Sequence, residues 1–177
     1  VVAPRGWYCF GYYGSNGTFL ILSPDPSVKK DSLGDLEIPG LSGPAIQISF
    51  SDRETSGRFD IAQVAARIFP SEKAFVQNVI AEGIEPAKNF PSGPYPKDVL
   101  TRRSINDIEF ETPANSNGMG TVSRLPKNGY PIMGEAIIGA GGLVLIDIRL
   151  PTNLSYLTPF ILNATKPASL AAAETPE

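Results

Sequence analysis

The period of the hydrophobic pattern changes twice along these 177 residues, and the order of those changes restricts the fold more than any other feature. Apolar residues alternate with period two in strand segments between Tyr8 and Asp52 that flank a polar, turn-rich stretch from Ser27 to Pro44, recur with helical spacing from Asp60 to Gly83, and return to period two in segments between Asp98 and Pro151. A strand sends successive side chains to opposite faces, whereas a helix gathers positions i, i+3 and i+4 on one face. Helices grouped in one block between two blocks of strands argue for an α+β fold with an antiparallel sheet rather than an alternating parallel one.

The first strand block opens with "RGWYCFGYYGSNGTFLILSP", residues 5–24, which reads as a hairpin around "GSNG". Tyr8, Phe10 and Tyr12 alternate with Trp7, Cys9 and Tyr13, and the return strand is also apolar on both sides. Such a hairpin predicts a sheet covered on both faces, with Trp7, Phe10, Phe19 and Leu20 in the core. In "AIQISFSD" the residues Ile46, Ile48 and Phe50 alternate with Gln47 and Ser49, which predicts a third strand with one wetter face.

Ile61, Val64, Ala65 and Ile68 predict a helix behind Asp60 and Gln63, a pair spaced like a capping box, and Pro70 should end it. A second helix, "EKAFVQNVIAEG", follows Ser71 as its cap and stops at Gly83. "IEPAKNFPSGPYP" then holds four prolines in thirteen residues, so 84–97 is expected to be a long loop. Five strands are expected beyond it, in "DVLTRRS", "DIEFETP", "GTVSRLP", "PIMGEAIIG" and "LVLIDIRLP". "TNLSYLTPFILNAT" predicts a closing helix, with Thr158 able to cap a version that starts at Pro159. The expectation is one α+β domain over 1–165, with about six to eight mainly antiparallel strands and three helices, and a flexible tail over 166–177.

Charge and composition narrow the function. Fifteen basic residues against eighteen acidic ones leave a net charge of -3 and no positive field to collect phosphates, so nucleic acid is not an expected partner. The longest apolar run, "AIIGAGGLVLI", is too short to span a bilayer as a helix. The chain opens with "VVAPRG", which suits removal of a secretory leader or trimming; an extracytoplasmic location, periplasmic or secreted, is expected, with the cytoplasm as the alternative. Asn16, Asn153 and Asn163 begin N-x-[ST] sequons, which matter only in a glycosylating organism.

The chain contains no histidine, which removes Ser-His-Asp and Cys-His nucleophilic sites and histidine-bound zinc together. The lone cysteine, Cys9, lies between Tyr8 and Phe10 and is expected to pack in the core as an inert thiol. Asp107, Glu109 and Glu111 share one face of a strand; they read as a solvated face, paired across strands with Arg102, Arg103 or Arg124, or else as acid-base or cation-binding carboxylates. Ser27-Val28-Lys29-Lys30 has the spacing of a Ser/Lys nucleophile but lies among prolines and turn formers, and Gly118-Met119-Gly120 lacks the context of a phosphate loop. The remaining candidate is "NFPSGPYP", where a stiff loop would hold Phe90 and Tyr95 outward, followed by Lys97, for recognition of a partner; a cover for a sheet edge is the alternative.

The order of elements also resembles that of the Mog1p/PsbP-like proteins, in "PRGWYCF", in "GRFDIAQVAARI" and in "LVLIDIRLPTNLSYLTPFILNA". The resemblance implies an antiparallel sheet sandwiched between helices and a binding, assembly or accessory role, often after export. It brings no catalytic motif, and the chain departs from it in the loop 84–97 and the glycine-rich turn 139–142. The expected function is a non-catalytic extracytoplasmic binding or accessory protein, immunity- or inhibitor-like or with an assembly role, with a protein partner, Phe90, Tyr95 and Lys97 as the contact residues, and no cofactor or metal. The alternative is a histidine-independent hydrolase or metal-dependent enzyme using Asp107, Glu109 and Glu111.

Overall fold

The computed structural model describes residues 2–26, 41–93, 95–119, 123 and 125–165. The Ser27 to Lys30 motif and the tail expected over 166–177 lie outside them. Seven strands form one antiparallel sheet in the order β1-β2-β3-β7-β6-β5-β4. Strands β1 (Tyr8–Gly14), β2 (Gly17–Ser23) and β3 (Ala45–Asp52) make one meander, and β4 (Val99–Arg102), β5 (Asp107–Thr112), β6 (Ile132–Gly139) and β7 (Gly142–Arg149) make another. The two meet where β3 pairs with β7, with Ile46 opposite Ile148 and Ser49 opposite Leu145.

Helices α1 (Gly57–Ile68) and α2 (Lys73–Ala81) connect the meanders and cover one face of the sheet, burying Ile61, Val64, Val76 and Val79 with Phe19, Ile21, Phe110 and Leu145. A short helix, α3 (Thr158–Thr165), covers part of the opposite face, where Ile161 and Leu162 pack with Leu22, Ile46, Ile146 and Ile148. It begins at Thr158, one residue before the Pro159 start of the shorter reading of the closing segment, behind a 3-10 turn over Thr152–Leu157. Strand β7 lies between the two clusters, and every residue from Gly142 to Arg149 is buried. That double burial is what its nearly unbroken apolar run reflects.

Several local expectations are corrected. The polar face of β3 is the covered one: Gln47, Ser49 and Ser51 lie buried under α1, while Phe50 is exposed. Alternation indicates which residues share a face but not which face the helices cover. Cys9 and Tyr13 are exposed and Phe10 is only half-buried, because among the described residues β1 is an edge strand with one neighbour; Trp7 and Leu20 are also only half-buried. Asp60 is not a cap; α1 starts at Gly57, and the buried Asp60 carboxylate accepts a hydrogen bond from Asn16 Nδ2 at 2.9 Å. Ser71 sits inside a 3-10 turn over Pro70–Glu72 that leads into α2. Of "GTVSRLP", the described residues Ser123, Leu125 and Pro126 are not in a strand.

Candidate functional site

The loop 84–97 is anchored at both ends and at its centre. At its start, the Glu85 carboxylate accepts from Gln63 Nε2 of α1 at 3.3 Å and from Asn89 Nδ2 at 3.2 Å. A 3-10 turn over Ala87–Asn89 then points Phe90 inward, where it is 5% exposed and belongs to the α1-side core. This corrects the expectation that Phe90 is held outward: proline-rich sequence excludes regular structure but does not decide which side chains serve as anchors. Tyr95 is half-buried, with its hydroxyl donating to the Pro91 carbonyl at 3.2 Å and its ring 4.1 Å from the Arg67 guanidinium carbon. Lys97 is exposed.

Arg67 joins this loop to α1. Its Nε lies 2.9 Å from Asp98 Oδ2 and its Nη2 2.7 Å from Oδ2 and 3.0 Å from Oδ1, so the planar guanidinium engages both carboxylate oxygens while stacking on Tyr95. Arg53 ties the start of the second helical segment to the sheet, meeting Glu72 at 2.8 Å and lying over Phe75. Arg58 pairs with Glu82 at 2.7 Å; the mutual hydrogen bond raises the arginine pKa and lowers the glutamate one.

Between α1, α2 and this braced loop lies a groove of about 560 Å³. Phe69, Val76, Ile80 and Phe90 supply much of its apolar lining, and among the described residues Arg67 and Lys73 are its two cations and no carboxylate lines it. Its volume is in the range of sites that take a small molecule or a few residues of a partner chain, a mostly apolar concavity with a few polar groups. Of the three sequence candidates, Phe90 lines this groove, Tyr95 braces its wall through Arg67, and Lys97 is not among the lining residues. The helical residues Ala66, Lys73 and Gln77 were missed by sequence reasoning, since a helix stripe announces the side facing the core and not the side facing a loop.

The acidic strand has different geometry. Ile108, Phe110 and Thr112 are buried on one side of β5, and Asp107, Glu109 and Glu111 are half-buried on the other. Glu109 is paired with Arg103 at 2.8 Å and lies opposite Glu135 of β6, which is fully buried. Glu109 and Glu111 line a cavity of about 120 Å³ with Val99 and Leu162, much smaller than the groove. Among the described residues no group of three or more Cys, Asp and Glu side chains is placed to hold a metal ion.

Two charged residues of β7, Asp147 and Arg149, are completely buried on the α1 side, two positions apart in a strand otherwise apolar. Arg149 donates to the carbonyls of Leu41, Gly43 and Pro126, fixing two loops, and burial pushes its pKa down. Burial lifts the Asp147 pKa to about 7 against the opposing pull of the Ser123 hydroxyl and the Arg67 guanidinium. Gly118 leaves room for this arrangement, since a Cβ there would lie 2.4 Å from Ser123 Oγ and 3.5 Å from Asp147 Oδ1. Among the described residues no helix is long and apolar enough to cross a membrane. In comparisons with known proteins, no family model, curated protein or solved structure matches the chain.

Proposed function

We propose that the chain is a non-catalytic binding or accessory protein that recognises an apolar segment of a protein partner in the groove between α1, α2 and the loop 84–97. The observation that carries this reading is the groove itself, about 560 Å³ with an apolar floor and a wall already braced by Phe90, Tyr95 and Arg67. A wall ordered before binding spares the complex the entropy of ordering it afterwards. A Mog1p/PsbP-like relationship and an extracytoplasmic setting belong to the same proposal. Fractionation of the cells of origin tests that setting.

Ala66 lines the groove and is only half-buried, so a larger side chain there fills the groove more readily than it disturbs the core. Ala66→Trp and the remote variant Thr101→Ala would be compared with the unchanged protein as baits in extracts of its own organism. A protein retained by the unchanged bait and by Thr101→Ala, and lost from Ala66→Trp at an equal melting temperature, supports the groove. Retention by all three baits, or by none, overturns it. The enzymatic alternative rests on Glu109 and Glu111 lining the smaller cavity.

A further inference from the structure

We infer that β1 is an interface strand, and that it pairs antiparallel with β1 of a second copy of this chain. It lies at one end of the sheet, and over Tyr8–Gly14 it contains neither a charge nor a proline. Sheet edges normally carry charges, prolines, bulges or short strands that prevent pairing with another chain. The opposite edge has such protection: β4 is four residues long, its last residue is Arg102, and Arg103 follows. The contrast lies within one sheet, so it is not a general property of this composition.

The pairing direction follows from the hairpin. Ser15 and Asn16 form a two-residue turn between Gly14 and Gly17, and residues flanking such a turn exchange hydrogen bonds. Alternation along an antiparallel ladder then turns the peptide groups of Tyr13, Gly11 and Cys9 away from β2, towards the open side. The edge is also held in place. Asn16 donates to Asp60, Ser56 Oγ donates to Ser15 Oγ at 3.3 Å, and the turn lies so close to α1 that a Cβ on Gly57 would come within 2.3 Å of the Asn16 carbonyl.

A second copy fits this strand better than a charged partner strand does. Pairing about a two-fold axis sets the same sequence against itself, so any charge near the axis would meet its like; this strand has none. The register with full overlap places Gly11 opposite its own copy and Cys9 opposite Tyr13 of the other chain. Both Cys9 and Tyr13 are exposed, Tyr13 at 78%. On the same side of the sheet Phe50 is exposed and Leu20 and Ile48 are half-buried, so apolar surface continues inward from the edge.

Sedimentation velocity of the full chain over a range of concentrations tests the pairing. The expected result is a concentration-dependent dimer that Tyr13→Lys weakens at least tenfold with no loss of melting temperature. In the paired register Cys9 and position 13 of the other chain have Cα atoms about 5.5 Å apart, within disulfide reach. Tyr13→Cys in the presence of Cys9 should therefore give a covalent dimer on mild oxidation, whereas Cys9 alone should not. A monomer at every concentration, a dimer indifferent to Tyr13→Lys, or failure of the Tyr13→Cys variant to cross-link would each overturn the inference, as would an edge already occupied by another part of the same chain or by a different protein.

Discussion

Asp147 has a burial cost at neutral pH that the Ser123 hydroxyl and the Arg67 guanidinium only partly offset. Burial outweighs the Ser123 hydroxyl and the Arg67 charge, so Asp147 keeps its proton to about pH 7 in the folded chain, while the unfolded chain releases it near the ordinary value of 3.8. Between those two values the folded state holds a proton that the unfolded state lacks. Its contribution to stability therefore falls as pH rises from 3.8 to about 7 and is level outside that window. A shift of that size corresponds to on the order of 4 kcal/mol. Asp147→Asn removes the titration, so the stability of the unchanged protein relative to this variant should decline across the window and favour the variant above it. Urea unfolding at a series of pH values measures this, and parallel profiles for the two proteins would contradict it. Arg149 differs, because its guanidinium donates to three carbonyls and its burial is thereby compensated in hydrogen bonds.

Among the elements, the loop 84–97 combines an anchor and a brace that can be separated by mutation. Phe90→Ala empties a core position and should cost about 3 to 5 kcal/mol. Tyr95→Ala removes a half-buried ring stacked on Arg67 and a single hydroxyl bond to Pro91, and should cost about 1 to 2 kcal/mol. Denaturant unfolding distinguishes them; equal costs would show that Phe90 is not the anchor. The block order of strands and helices was legible because period-two and helical patterns are long and local. The existence of the loop was legible as well, through its prolines. Which of its aromatics turns inward was not, since that depends on the cavity left between α1 and α2. The face of β3 was misjudged for the same reason: Gln47 and Ser49 are polar, yet α1 lies over them. The exposure of Cys9 is not legible in the sequence, because an edge strand and a central one share the same alternation.

At the scale of the whole molecule, the two open features lie in different places. The groove is on the helical side, built from α1, α2 and the loop, whereas the unprotected edge lies at the β1 end of the sheet. Self-association through β1 leaves the groove free, so a dimer would offer two grooves to a partner and gain from a partner with two copies of its segment. The acidic side of β5 lies across the sheet from the groove, where Glu111 serves as a control position. If a partner is recognised in the groove, a residue on the groove wall touches it in the complex. A photo-crosslinking residue in place of Gln77, which is exposed on the groove wall, and the same residue in place of Glu111, would be irradiated in extracts of the organism of origin. Recognition in the groove gives a discrete cross-linked protein from position 77 that is absent from position 111 and suppressed when Ala66→Trp is added. The same product from both positions, or a product only from position 111, would contradict it.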